Sequence, residues 1–435
     1  MTNSALNYMG TLSNPAIAPS RRSRHGWPVF SAALFVGYLT IPHFIFVYFG
    51  QSSLAAGLLV YAFGLLLYTF KKRLVLTPLQ LCILSIAGVS IGVHHEGELS
   101  RQLLSILVMG VIFVATNCYF RDLESRQDQR LRQIVKLAFF VLCLIGVVGK
   151  VIAFRPGNYA LRSSVFPFSE PSHYALVFAP IACAYMLQFP KHKQAGVAAV
   201  VLLMGLIYPN VTLIAASVLL LMISLRVWAA IVLLVFTCAV VAVIGSGALE
   251  KLPQYEYFFD RLGRSDESRN LTYLVYTQGW QQAAIALKET NGIGVGFQRF
   301  GQESAGSAAV RIEEYFGQEY NRKDGSNLGS KIIGEFGLLG IVICISMILY
   351  AGYSLFILRR YEGVRRVRYF DLVCMSVSGM FLIEVVFRGM SYFSPMLFLY
   401  CYAISRAMSS MTHRTRSTPP QPNSLVEGSM VQQID

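Results

Sequence analysis

The chain is short of charge. Only 14% of its 435 residues are Asp, Glu, Lys or Arg, against roughly 25% in an average soluble protein. That scarcity excludes a water-soluble enzyme of two or three domains. Cysteine is equally uninformative as a scaffold, because all eight residues (Cys82, Cys118, Cys143, Cys183, Cys238, Cys344, Cys374 and Cys401) fall inside apolar runs. Neither a disulfide framework nor a thiolate metal site is expected. No cleavable leader is expected either: the first apolar run starts near Trp27, behind Arg21, Arg22 and Arg24, and is too long for a signal core. No Ser-His-Asp pattern or zinc-binding helix motif is present.

What the chain does have is apolar length. It is 54% hydrophobic and 13% aromatic, with a mean hydropathy of +0.52, so it cannot stay solvated as a disordered chain. A spanning helix takes about 20 apolar residues, and the pattern predicts an all-α polytopic membrane protein of about 12 transmembrane helices. The predicted spans are 27–49, 54–70, 74–92, 101–119, 134–154, 172–189, 195–208, 210–225, 227–247, 331–358, 369–388 and 391–408. The seventh and eighth are short and meet at Tyr208-Pro209-Asn210, as a hairpin that barely crosses.

Most of the 37 Lys and Arg then fall on one side, in runs such as Lys71-Lys72-Arg73, Arg121 to Lys136 and Arg359 to Arg368. The positive-inside rule makes that side cytoplasmic, and it accounts for the net charge of +14 without nucleic acid. The organisation expected is a cytoplasmic segment (1–26), nine spans (27–247), a large outer loop (248–330), three spans (331–408) and a disordered cytoplasmic tail (409–435). The division into nine and three spans lacks the halving expected of many transporters.

Within the outer loop, Ser268 to Thr290 reads as an amphipathic helix. Asp266 and Glu267 lie at its start, Leu271, Leu274, Val275 and Ile285 at helical spacing, and Asn291-Gly292 at its stop. Beyond it comes a glycine-rich run, Gly292-Ile293-Gly294-Val295-Gly296, whose amides are candidates for an anion nest. The sharpest local signal is the segment from Arg155 through Arg162 to Phe166-Pro167-Phe168-Ser169-Glu170-Pro171-Ser172-His173. It places two guanidinium groups, a carboxylate and an imidazole near the outer face, and guanidinium binds phosphate bidentately. The plain alternative is a helix start capped by Ser169 or Ser172. Glu384 and Arg388 are spaced for an i,i+4 ion pair, and Glu335 lies near Lys331. Adjacent His94 and His95 diverge, so no metal is expected there.

Together these segments resemble the superfamily of bacterial O-antigen polymerases and O-antigen ligases. Arg269, Trp280, Gly294, Gly296, Phe300, Asn327, Glu335, Gly337 and Gly340 carry the resemblance in the loop, and Glu170-Pro171-Ser172 carries it before the sixth span. Ser326 stands where ligases usually have His, which favours the polymerase branch. The resemblance implies polymerisation of undecaprenyl-diphosphate-linked oligosaccharide repeat units at the outer leaflet of the inner membrane, yielding O-antigen, capsule or exopolysaccharide. A ligase, or a flippase of the same lipid-linked glycan, is the alternative. The implied partners are that lipid-linked donor and acceptor, the bilayer, a chain-length regulator and a flippase. No cofactor or metal is required. The implied site has Glu170 and His173 as catalytic acid–base groups, with Glu170 preferred as general base. Arg155, Arg162, Arg269 and Arg299 are diphosphate ligands, and Asn327, Glu335 and Arg388 are supporting residues.

Overall fold

The computed structural model describes residues 28–51, 53–93, 99–151, 165–208, 210–226, 228–229, 231–232, 235, 270–361 and 367–416. The described residues form an all-helical bundle. Its elements are α1 (Pro28–Tyr48), α2 (Leu54–Tyr68), α3 (Pro78–Val93), α4 (Leu99–Glu124), α5 (Asp128–Val151), α6 (Pro171–Met186), α7 (Lys191–Ile207) and α8 (Val211–Ser224). After these come α9 (Leu271–Glu289), α10 (Ser307–Phe316), α11 (Leu328–Arg360), α12 (Tyr369–Met380), α13 (Leu382–Val386) and α14 (Pro395–Arg416).

Five stretches are long and apolar enough to cross a membrane: Val29–Tyr48, Leu99–Glu124, Asp128–Gly149, Leu328–Arg360 and Tyr369–Val386. The predicted span 227–247 lies almost wholly outside the described residues. The short pair α7 and α8 packs as a hairpin, capped by Asn210, whose Oδ1 accepts from the Leu213 amide at 2.9 Å. Their 17 and 14 residues give roughly 26 and 21 Å at 1.5 Å per residue, less than a hydrocarbon core about 30 Å thick. The last helix continues to Arg416, past the expected end at 408; residues 417–435 lie outside the description.

The bundle is organised around α6. From Tyr174 to Met186 every residue is buried, so this helix has neighbours on all sides and reads as apolar all round. Ala175, Ala179, Ala182 and Ala184 let α5, α8 and α12 approach closely. The Phe139 ring of α5 stacks on Tyr185 at 4.3 Å and on Phe178 at 5.5 Å.

The charges gather at the helix ends. At one end Arg406 pairs with Asp371 and, at 2.8 Å, with Glu124. There Tyr402 also donates to Glu124, and Lys191 donates to the carbonyls of Ile223 and Arg359. The Glu170 end is opposite: just past the other end of α6, Gln188 donates to the Arg132 carbonyl near the start of α5 and to Tyr369, two residues from Asp371.

Helix α11 is broken. Gly337 has φ 60° and ψ −133° inside it, so a nine-residue stub precedes a second part starting at Leu338. That second part exposes Leu338, Val342, Ile345, Leu349, Tyr353 and Phe356, an apolar stripe at helical spacing suited to lipid. The loop's glycine run enters the break. The amides of Val295 and Gly296 donate to the carbonyls of Gly334 and Glu335 at 2.9 Å, and the Leu338 amide donates to Gly292 at 2.8 Å. The Gly294 amide is taken by Thr290 Oγ1 at 2.8 Å. The anion nest expected at these glycines is therefore not available: their amides close a backbone lock instead. Phe297 anchors the lock to the bundle, its amide donating to Ser90 Oγ at 2.8 Å and its carbonyl accepting from Gln102 at 2.9 Å.

The amphipathic helix of the loop is α9. Asn270 caps it, its Oδ1 accepting from the Thr272 and Tyr273 amides, while Asp266, Glu267 and Arg269 lie outside the described residues. Helix α10, not anticipated from sequence, covers Leu274 and Val275 of α9 with Ala308 and Ile312.

A Cβ at Gly337 would come within 2.0 Å of the Gly292 carbonyl oxygen, whereas one at Gly352 meets nothing within 4 Å. Left-handed backbone alone costs about 1–2 kcal/mol for a side-chain-bearing residue. Gly337→Ala should lower the unfolding midpoint in detergent clearly, and Gly352→Ala should leave it unchanged. Equal midpoints would dissolve the proposed lock.

Candidate functional site

At the free end of α6, Glu170 occupies the N-cap position with extended backbone (φ −139°, ψ 151°) and makes no side-chain cap bond. Pro171 follows as the first helical residue, where its missing N–H costs nothing. The two serines considered as caps do other work. Ser172 Oγ donates to Glu170 Oε2 at 2.8 Å, and Ser169 Oγ lies 2.9 Å from His173 Nδ1. All four polar side chains of this turn are thus committed to one another or to what lies opposite.

Opposite lies Arg388. Its Nη2 is 2.6 Å from Glu170 Oε2, with the arginine 15% and the glutamate 44% exposed. The expected Glu384–Arg388 pair is not formed. Helix α13 ends at Val386, so Arg388 lies beyond the last turn, where i,i+4 geometry no longer holds, and it points across to α6. Glu384 stays buried beside Ser394 and the Met390 backbone.

The position of Arg388 is set by its neighbour. The Gly389 amide donates to the Ser326 carbonyl at 2.9 Å, and a Cβ at Gly389 would meet the Leu328 amide nitrogen at 2.5 Å. This backbone contact brings the Asp324-Gly325-Ser326-Asn327 turn to the arginine. Asn327 is fully buried and caps α11, its Oδ1 accepting from the Ser330 amide at 2.8 Å. Its part is to start the stub that carries Lys331 and Glu335, which pair at 3.4 Å as their spacing suggested.

The other predicted residues divide plainly. Arg299 bonds Gln302 Oε1 at 2.9 Å within its own turn. Arg155, Arg162 and Arg269 lie outside the described residues, as do His94 to Glu98. One residue was missed. His43 of α1 is fully buried with its ring 5.8 Å from that of His173 and 4.6 Å from Phe168. The signal was there: an ionisable residue inside an apolar span is a functional candidate by default.

The arrangement therefore joins a guanidinium, its carboxylate partner and two imidazoles at one end of the bundle. Burial alone would push the Glu170 carboxyl up, but Arg388, His173 and Ser172 outweigh it and hold the group down at about 2. At neutral pH it is a stable anion and a weak base. The chain matches no protein-family model and no curated protein.

A carboxylate depressed in the folded state stabilises the fold above its unfolded value near 4.5, and that contribution disappears as pH falls toward 2. For a pair this exposed the contribution is about 0.2–1 kcal/mol. The unfolding midpoint should therefore fall more steeply between pH 4.5 and 2.5 in the wild type than in Glu170→Gln. Parallel curves would remove the ion pair.

Proposed function

We propose that this chain is a membrane glycosyltransferase that polymerises lipid-linked oligosaccharide repeat units into a surface polysaccharide at the outer leaflet of a bacterial inner membrane. The observation that supports the reading is the convergence of the two motif segments. The Glu170-Pro171-Ser172-His173 turn meets Arg388, and Gly389 is bonded to the Ser326 carbonyl of the loop motif. Residues more than two hundred positions apart form one polar cluster at a bundle end, where a carrier lipid's headgroup would lie.

The chemistry asks for three things. A diphosphate must be held as its anomeric bond breaks, an acceptor hydroxyl must be aimed at the anomeric carbon, and that hydroxyl's proton must be taken. Arg388 supplies fixed positive charge, and its five N–H donors serve both Glu170 and phosphate oxygens. Arg155, Arg162 and Arg269 are assigned to the same anion on the resemblance alone. Because Glu170 is committed to Arg388, it acts as a positioning residue, and His173 takes the proton. In the tautomer whose Nδ1–H donates to Ser169 Oγ, Nε2 keeps the lone pair that takes it.

In the transfer, the acceptor oxygen forms a bond to the anomeric carbon from the face opposite the diphosphate. The anomeric C–O bond breaks, its electron pair leaves with the lipid diphosphate, and the hydroxyl proton passes to His173. The lipid carrier supplies the activation.

Arg388→Lys keeps the charge and loses the planar fork. We expect normal amounts of protein in the membrane but polymer shortened to a few repeat units on a gel, with Arg162→Lys behaving alike. Full-length polymer from Arg388→Lys would take the guanidinium out of the site.

A further inference from the structure

His43 is an anomaly on energetic grounds. It is 0% exposed, and neither ring nitrogen has a hydrogen-bond partner among the described residues. Leaving a buried polar group unpaired costs about 1–3 kcal/mol, and a phenylalanine would fill the space without that penalty. The imidazole is also held firmly in place. It follows Pro42, against which α2 packs so tightly that a Cβ at Gly57 would come within 2.7 Å of the Pro42 backbone. Its ring lies against the turn that carries the site, 4.6 Å from the Phe168 ring and 5.8 Å from that of His173.

We propose that His43 and His173 together form a seat for one neutral hydroxyl group, the acceptor hydroxyl of the glycan. The inference rests on the polymerase reading above and adds the residue that orients the acceptor. Three observations select this ligand. A metal ion is not favoured, because among the described residues no third His, Cys, Asp or Glu completes a ligand set. An anion has a better partner in Arg388, which is held against Glu170. A neutral imidazole offers one donor and one acceptor, which matches a hydroxyl's single proton and lone pairs.

Ser169 occupies His173 Nδ1, so Nε2 of His173 and a nitrogen of His43 are left to share the hydroxyl. His43 donates to the hydroxyl oxygen and fixes its lone pair toward the anomeric carbon. His173 accepts the proton as the new C–O bond forms and the lipid diphosphate departs with the electrons of the broken one. The groups around the Glu170 turn thus divide the work, with the anion on Arg388 and the hydroxyl on the imidazoles.

The test uses cells deleted for the gene and complemented with the full-length chain, acting on the cells' own lipid-linked repeat units. The complemented variants are wild type, His43→Phe, His43→Asn and His173→Phe. His43→Phe should reach the membrane in wild-type amounts and unfold at the same or a higher temperature, because an unpaired polar group has been removed. Its polymer yield should nevertheless drop about tenfold, the worth of one hydrogen bond, and His43→Asn should recover part of it. His173→Phe should lose about 100-fold or more, as expected for a proton acceptor. Full polymer yield from His43→Phe would overturn the inference, and so would a lower unfolding temperature, which would make His43 a packing residue. If the uncomplemented deletion strain itself still makes full-length polymer, the polymerase reading fails instead.

Discussion

The carbonyl oxygen of Gly292 sits in the break of α11, where no side chain fits, and much of the molecule is positioned by that contact. It fixes the glycine run against the stub of α11 and thereby fixes the stub against the bundle. The stub begins at Asn327, so the Asp324–Asn327 turn is held as well, and Gly389 reaches it by a backbone bond. Only then does Arg388 meet Glu170. A 33-residue helix without the break would be roughly 50 Å long and would carry Lys331 and Glu335 away from the bundle end. The break places an irregular backbone where protein, not lipid, surrounds it, which is the condition for tolerating it at all.

The same economy governs the charges. Several ion pairs join different elements, as in Arg406 with Asp371 and Glu124, or Arg388 with Glu170, while Lys331–Glu335 and Asp122–Arg126 stay within one segment. Cross-element pairs tie together segments that apolar contact alone would not register, because lipid tails are as apolar as leucine. The Glu124 end is closed by such pairs and by Lys191 bonded to two carbonyls. Near the Glu170 turn, His43 keeps both ring nitrogens buried without a hydrogen-bond partner among the described residues. That unpaired imidazole beside the Glu170–Arg388 pair is what makes the Glu170 end the candidate site.

Much of the fold was legible in the sequence because apolar length and turn residues are local properties. The predicted apolar segments coincide with observed helices wherever the structure describes them, although only five stretches are long and apolar enough to cross a membrane, and Asn291-Gly292 ends α9 as its residue types suggest. Helix α10 was overlooked although Gly306 and Gly317 bracket it, because its ten residues carry only a short apolar face. The glycine run was read as a candidate anion nest, but what meets it is another glycine segment about forty residues on, which no local pattern specifies. The Glu384–Arg388 spacing misled for a related reason: an i,i+4 rule assumes a continuous helix, and α13 stops two residues before Arg388. The true partner, Glu170, lies in a distant segment. His43 carried a readable signal, a titratable group in an apolar run, but its meaning depends on α6 lying alongside.

Under the proposed function these features divide the labour, with positive charge held beside Glu170 for a diphosphate and imidazoles held beside Phe168 for a hydroxyl, and repeat units are joined while still linked to their carrier lipid. The most direct measurement is mass spectrometry of the carrier-lipid-linked glycans that accumulate when the gene is deleted. Single repeat units building up on the lipid is the result the account predicts. Long lipid-linked chains would show that polymerisation proceeds without this protein and that a later transfer is blocked, and an unchanged profile would contradict any role on lipid-linked glycans.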